Sequence, residues 1–260
     1  MRDEKDPMGT KFKELERKER FTIDSNKFTI LRMDGRAFHT YTKNFERPFD
    51  ARLASAMDDA TIAIMKNTLP KNVCGYTQSD EISLIIPPVE LPGTLPFDGR
   101  ADKVLSLASS TATLGFVTSL IEKTDMEPSV ILGVNSPGFP LFDARFFQVD
   151  TIEEVMDYMN WRRLDARKNA ISSTAMQHFS KKELHGKSTP ERLQMLKEIG
   201  QHEIGLGTLF GRVFVREVRE TEVSYVDKRT GEKQTTVAMR TFIEPKDATL
   251  DVVENILGIS

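Results

Sequence analysis

The chain has almost no cysteine. Cys74 stands alone among 260 residues, so an internal disulfide is excluded and a reducing compartment is expected. No apolar run reads as a membrane span of roughly 20 residues. The first residues, Met1 to Pro7, are polar and lack the apolar stretch of a secretion signal. Charge bias is equally small, with a formal net charge of -3, so no global field marks the chain as a nucleic-acid binder. There is no internal repeat and no low-complexity tract. Together these absences lead us to expect a soluble, cytoplasmic protein with no membrane partner. The length allows one large domain or two small ones, with enough apolar residues for a core.

What is present is a succession of short signals. Phe12 and Leu15 punctuate a charged run from Thr10 to Arg20, which predicts a short amphipathic helix. Phe28 to Met33 reads as a buried strand ended by Asp34-Gly35. Asp50 can cap a helix in which Leu53, Met57, Ala60 and Ile64 recur at helical spacing, with Pro70 closing it. Val73–Thr77 and Ile82–Ile86 read as strands joined by the turn Gln78-Ser79-Asp80-Glu81. A Pro/Gly-rich connection over 87–99 leads to a long helix, Gly99–Lys123, with Val104, Leu107, Leu114, Val117 and Ile121 on one side. Another strand, Ala144–Val149, follows a Pro/Gly loop at 135–140.

The order strand, helix, strand, strand, helix, strand is the split βαβ, ferredoxin-like pattern of an α+β fold. Beyond it, Thr151 and Glu154 have capping-box form and start a helix to about Phe179; Ser188 to Glu191 is a second start, with Pro190 at the first helical position. Leu209–Val218 and Val223–Phe242 predict a β-meander with a turn at Asp227–Gly231, and a short helix over 248–257 ends the chain. We divide the chain into residues 1–150, the ferredoxin-like region with its N-terminal helix, and 151–260, a helical and β-meander extension packed on it as one unit.

In a ferredoxin-like sheet the first and third strands are antiparallel neighbours. Asp34, after the first, and Asp80-Glu81, opening the third, therefore meet at one sheet edge about 5 Å apart. Carboxylates that close raise each other's pKa unless a cation intervenes, and a hard divalent ion such as Mg²⁺ suits oxygen ligands and substrate phosphates. Gly35 allows a backbone carbonyl to join them. Alternation sends Asp80 and Glu81 to opposite faces. Asp-Gly and Ser-Asp are also ordinary turn dipeptides, and either alone reads more readily as a turn.

Arg32-Met-Asp34-Gly35-Arg36-Ala-Phe38-His39, Phe45-Glu-Arg47-Pro48-Phe-Asp50 and Gly75-Tyr-Thr-Gln78-Ser79-Asp80-Glu81 resemble the tRNA-histidine guanylyltransferase family. So do Pro137-Gly138-Phe139 with Phe142-Asp143-Ala-Arg145, and Trp161-Arg162-Arg163-Leu-Asp165-Ala-Arg167-Lys168-Asn169. The resemblance implies a polymerase-type palm that extends tRNA 5′ ends in the 3′-to-5′ direction after ATP- or GTP-dependent activation, by two-metal phosphoryl transfer. It implies Asp34, Gly35 and Asp80 as ligands of two Mg²⁺ ions, with Glu81 as the acidic catalytic neighbour. It also implies nucleotide contacts from Asp34, Gly35, Arg36, Ala37, Phe38, His39, Arg47, Asp50, Ser79 and Asp80, with Arg100 and Lys103 as further triphosphate contacts. Arg47 stands where the family usually has Lys, and Phe49 where it often has Asn. Eukaryotic members carry His-Ile-Asn-Asn where this chain has Arg167-Lys168-Asn169-Ala170. That departure resembles the bacterial and archaeal guanylyltransferase-like branch, which repairs 5′-truncated tRNAs against a template. Homotetramers are common in the family.

Residues 162–192 hold eight Lys/Arg against three acids, +5 locally, leaving -8 elsewhere. Such a segment is either a solvated helix face or an RNA contact, and the Trp161–Asn169 motif favours RNA, through Arg162, Arg163, Arg167, Lys168 and Asn169. Trp161 reads as a core anchor, Cys74 as a small apolar filler. His178, His185 and His202 fit no zinc-ligand spacing. The alternatives are a palm-type nucleotidyl cyclase, which needs no RNA platform, non-templated G addition to histidine tRNA, and a non-catalytic RNA-binding module, for which clustered acids have no use.

Overall fold

The computed structural model describes residues 6–18, 20–69, 73–89, 95–134 and 138–258. The helix stop at Pro70, Pro137 of the Pro-Gly-Phe motif and part of the 87–99 connection lie outside these residues. A helix α1 (Pro7–Lys18) buries none of its side chains. Strand β1 (Phe28–Gly35) runs into a one-turn helix α2 (Phe38–Tyr41), and α3 (Ala51–Asn67) follows. The hairpin β2 (Cys74–Gln78) and β3 (Glu81–Ile86) comes next, then α4 (Ala101–Lys123), the short α5 (Pro128–Ile131) and β4 (Phe142–Val149). Helix α6 (Ile152–His178) begins in the expected Thr151–Glu154 capping box. After α7 (Lys181–Leu184), α8 (Thr189–Glu198) is boxed by Ser188 and Glu191, with Pro190 in its second position rather than its first. Helix α9 (Leu206–Phe210), strands β5 (Arg212–Val226) and β6 (Lys233–Asp247), and α10 (Leu250–Leu257) complete the chain.

The strands form one six-stranded antiparallel sheet in the order β4-β1-β3-β2-β5-β6. Its first four strands have the ferredoxin-like order, so the fold is α+β with a βαββαβ palm. The sheet continues past the palm, because β2 pairs with β5 over Gly75–Thr77 and Arg212–Phe214. Gly211 makes this junction possible. Its φ is +78°, and a Cβ there would lie 2.6 Å from the Thr77 carbonyl and from the Tyr76 ring.

Strand alternation sorts the side chains onto two faces. Leu31, Met33, Ile82, Leu84, Ile86 and Phe142 face α3 and α4, where Phe38, Tyr41 and Phe116 pack with them. Ile30, Tyr76, Ile85 and Val213 face α6 and α10, against Val155, Tyr158, Met159 and Val253. Cys74 is buried in this second core as a free thiol.

Three expectations need correction. The buried side of α4 is Val104, Ala108, Ala112, Phe116 and Leu120, and Gly115 meets Ala60 and Ala63 of α3, small residues that let the two helices approach closely. Leu107, Leu114 and Ile121 instead lie on the open side, Leu114 at 68% exposure. Because of them α4 is, by length and composition, apolar enough to cross a membrane, which the sequence reading did not anticipate; here one side packs on the α3 and sheet core. The β-meander is a single hairpin. Residues 219–222 do not break β5, since β-branched Thr221 suits a strand and Arg219 pairs with Glu217 and Glu244. Leu209 belongs to α9 rather than to a strand.

Gly35 is fixed by packing as well as by its turn. A Cβ there would sit 2.4 Å from the Phe38 ring. Gly35→Ala is expected to cost about 1–3 kcal/mol by overpacking, read as a lowered midpoint in thermal or urea unfolding.

Candidate active site

The register of β1 determines what meets at its end. Asp34 lies opposite Glu81 on β3 and opposite Asp143 on β4, so three carboxylates form a row across adjacent strands. Asp80 joins from the β2–β3 turn, where its carbonyl accepts the Gly35 amide at 2.9 Å. The turn has only two central residues, Ser79 and Asp80, because Gln78 already pairs with Glu81. Ser79 takes a positive φ of 48° to close it, and its hydroxyl donates to the Asp80 carboxylate at 3.1 Å.

Asp34 and Asp80 are the uncompensated acids of this edge. Among the described residues neither has an ion-pair partner. Burial raises the Asp34 pKa, and Asp143 raises it further. Burial likewise raises that of Asp80, with Asp34 as the next cause. Two partly buried oxygen donors that repel each other fit a hard divalent cation, which would reverse both shifts. Among the described residues no group of three or more His, Cys, Asp or Glu side chains is arranged to hold a metal. Further ligands would come from the Gly35 carbonyl, water or substrate.

Glu81 is differently occupied. On the α6 face it receives a two-pronged fork from Arg162, Nε and Nη2 each at 2.7 Å, and Arg162 also donates to Asp165 at 2.9 Å. Asp80 instead lines a cavity of about 250 Å³. The two neighbouring acids thus have separate surroundings, one ion-paired and one open to the cavity.

This cavity is walled by Phe38, His39, Thr42, Phe45–Asp50, Leu53, Ala54, Gln78–Asp80, residues of α6 (Ala166, Asn169, Ala170, Ser173) and Gly207, Thr208 and Arg212. Of the expected nucleotide contacts it gathers Phe38, His39, Arg47, Asp50, Ser79 and Asp80. Asp34, Gly35, Arg36 and Ala37 lie beside it, Ala37 at a left-handed φ of 54° as the cap of α2. Phe38 is mainly a core residue, packed on Tyr41, Phe116 and Phe142 at 5.1–5.3 Å. Arg100 and Lys103 do not reach the cavity. Arg100 precedes α4 and pairs with Asp102, while Lys103 lies over Phe97.

A scan against protein-family models matches residues 9–150 to the tRNAHis guanylyltransferase family. The chain belongs to this family. It is therefore a nucleotidyltransferase of the tRNAHis guanylyltransferase family. Protein R259 of Acanthamoeba polyphaga mimivirus, described as uncharacterized, is 27% identical over 237 residues, covering 84% of this chain and 80% of its own. The tRNA(His) guanylyltransferase of Kluyveromyces lactis is 30% identical over 149 residues, 56% of this chain and 59% of that enzyme. A solved bacterial tRNA(His) guanylyltransferase-like protein in complex with ATP superposes with a TM-score of 0.73 at 26% identity, over 97% of this chain and 98% of that one.

Within this guanylyltransferase-family frame the expected RNA contacts divide. Arg162 and Arg163 are 6% and 9% exposed and already engaged, Arg163 with the Ala248 carbonyl and Asn160. Buried guanidiniums with partners cannot neutralise RNA phosphates, so these two assignments are corrected. Arg167, Lys168 and Asn169 remain accessible, Asn169 in the cavity wall. Trp161, expected in the core, is 54% exposed, because the helix phase of α6 buries Tyr158, Met159, Arg162 and Arg163 instead. Sequence reasoning missed Asp143, although the order β4-β1-β3 places the start of β4 beside the end of β1. It also missed Arg212, which bridges Asp58 at 2.6 Å and the Ala54 carbonyl at 3.3 Å; only the β2–β5 junction reveals it.

Asp50 shapes the cavity as a cap. Burial pulls its pKa upward, but the Arg52 guanidinium and the Glu46 and Arg52 amides outweigh that and hold it at about 2. Its contribution to stability is therefore complete above the unfolded carboxylate value near 4 and lost as pH falls towards about 2. Asp50→Ala is expected to cost about 1–2 kcal/mol at neutral pH, with the difference from wild type closing across that acid window in urea titrations.

Proposed function

We propose that this chain adds nucleotides in the 3′-to-5′ direction to the 5′ end of tRNA, and that the addition is template-dependent repair. The convergence of Asp34 and Asp80 beside a cavity that can receive a nucleoside triphosphate carries this reading. The ATP complex of the bacterial relative supports the choice of triphosphate. The Arg167-Lys168-Asn169-Ala170 stretch supports repair over dedicated G addition.

Asp34, Asp80 and the Gly35 carbonyl would hold Mg²⁺. Bound there, the ions would stabilise charge on the attacking and leaving oxygens of an in-line phosphoryl transfer. The protein's own work is positional. The β1–β3 register holds the two carboxylates at one edge, and the Arg162 fork keeps Glu81 from competing for the same place. Arg47 in the cavity wall offers a planar fork to phosphate where a lysine would offer a point charge. Its guanidinium now reaches the Thr42 carbonyl at 3.3 Å, a contact that a triphosphate can replace. Assembly as a homotetramer belongs to the same proposal, supported by the open apolar stripe of α4, and light scattering of the purified chain measures it.

Asp34→Ala and Asp80→Ala are each expected to lower nucleotide addition to a 5′-truncated tRNA at least 100-fold, roughly the loss of a central electrostatic contact, while the variants stay folded by circular dichroism. Full activity in either would remove the metal assignment. Chelation should abolish addition, and Mg²⁺ should restore it. With tRNAs that differ only in the base opposite the vacant 5′ position, the incorporated nucleotide should follow Watson–Crick pairing. Addition of G against every base would instead mean the non-templated reaction.

A further inference from the structure

The face of the sheet beneath α6 carries groups that the reading above does not use. The Arg162 guanidinium carbon lies over the Trp161 ring, 4.4 Å from its centroid, with the Tyr158 ring edge-on at 6.0 Å. Tyr158 is itself fixed, by a 2.6 Å hydrogen bond with Ser83 and an edge contact with Phe147 at 5.3 Å. The indole is thus held in place from below and from the side, yet more than half of it faces water. Arg32 reaches the same indole at 6.0 Å. Among the described residues Arg32 has no ion-pair partner, and its buried Nε lacks a hydrogen bond. Arg145 sits opposite Arg32 in the strand register, half exposed beside Asp143. Asp34 is two residues from Arg32 on the same face of β1, about 7 Å along the strand.

A pinned, open aromatic face flanked by cations is the construction that stacks a nucleobase and holds its phosphate. The triphosphate cavity takes Ala166, Asn169, Ala170 and Ser173 from further along α6, and Trp161 takes no part in its wall. A reaction that joins two substrates needs a second approach to the same acids. We propose that Trp161 is the stacking platform for the terminal nucleobase at the RNA 5′ end, with Arg32 and Arg145 receiving the adjoining phosphate. This rests on the reading of the chain as an enzyme of RNA 5′ ends. It commits the platform to the polynucleotide substrate, and a free nucleotide is the competing source of the same chemistry.

The chain contains one tryptophan, so its fluorescence reports this position alone. The probe is an RNA hairpin with a 5′-monophosphate and a 5′ strand one nucleotide short of its partner, titrated beside GTP and ATP without RNA. Saturable quenching by the hairpin, and none by the nucleotides, is expected. Trp161→Ala should raise KM for the hairpin roughly 5- to 100-fold while kcat at saturating RNA and KM for GTP stay near wild type. Trp161→Phe, which keeps a π face and guards against a folding defect, should recover most of the loss. Arg32→Gln should reduce the salt dependence of hairpin binding by about one counterion.

Wild-type extension of the hairpin without quenching would overturn the platform and leave the enzymatic reading intact, as would an unchanged KM in Trp161→Ala. Quenching by GTP alone would assign the indole to the free nucleotide and overturn the proposal. Quenching by the hairpin with no extension would support the platform and count against the reading of the chemistry.

Discussion

The antiparallel register between β1 and β3 is the constraint on which the molecule depends. A strand repeats every two residues, so sliding β1 by one position would turn Leu31 and Met33 out of one core and Ile30 out of the other. The same slip would carry Asp34 away from its face. Packing energy spread over many apolar residues thus fixes the position of a single carboxylate. The amide-to-carbonyl bond from Gly35 to Asp80 then closes the edge and determines how near the turn comes.

The two faces divide the work. Towards α3 and α4 the sheet is apolar, and the aromatic group of Phe38, Tyr41, Phe116 and Phe142 supports the turn that carries His39. Towards α6 the end of the sheet is ionic, with Asp34, Glu81 and Asp143 set against Arg32, Arg145 and Arg162. In this mixture Arg162 is assigned to Glu81 by a fork with two short bonds, a geometry a lysine could not reproduce. Removing Arg162 would leave a buried charge without a partner, so its first role is to hold α6 onto the sheet.

Much of this arrangement was legible in the chain. Asp34-Gly35 after an apolar run, the Ser79-Asp80 turn and the capping boxes at Thr151 and Ser188 are local signals, and each acts where it is read. The burial of Arg162 and Arg163 was not legible, because a run of cations on a helix reads as solvated until the opposing carboxylate is known. Trp161 was misplaced for the converse reason: hydrophobicity predicts burial, but helix phase decides it. On α4, Leu107, Leu114 and Ile121 lie outside while Ala108 and Ala112 lie inside beside Phe116 and Leu120, since helix phase rather than side-chain size decides which face is buried. Hydropathy alone points the other way. The cavity wall drawn from α6 and from residues 207–212 depends on β2 pairing with β5, a contact between distant parts of the chain that no local pattern announces.

That pairing has a consequence for how the molecule is made. The cavity takes its walls from residues 38–54, 78–80, 166–173 and 207–212, so its first and last pieces are separated by most of the chain. Loop closure over such distances is slow compared with helix and hairpin formation. On the ribosome, the palm's four strands can pair before the residues that complete the cavity have emerged. The acidic edge is therefore assembled early and the cavity late. A nascent chain would pass through a stage in which Asp34 and Asp80 are already together with no finished place for a triphosphate beside them.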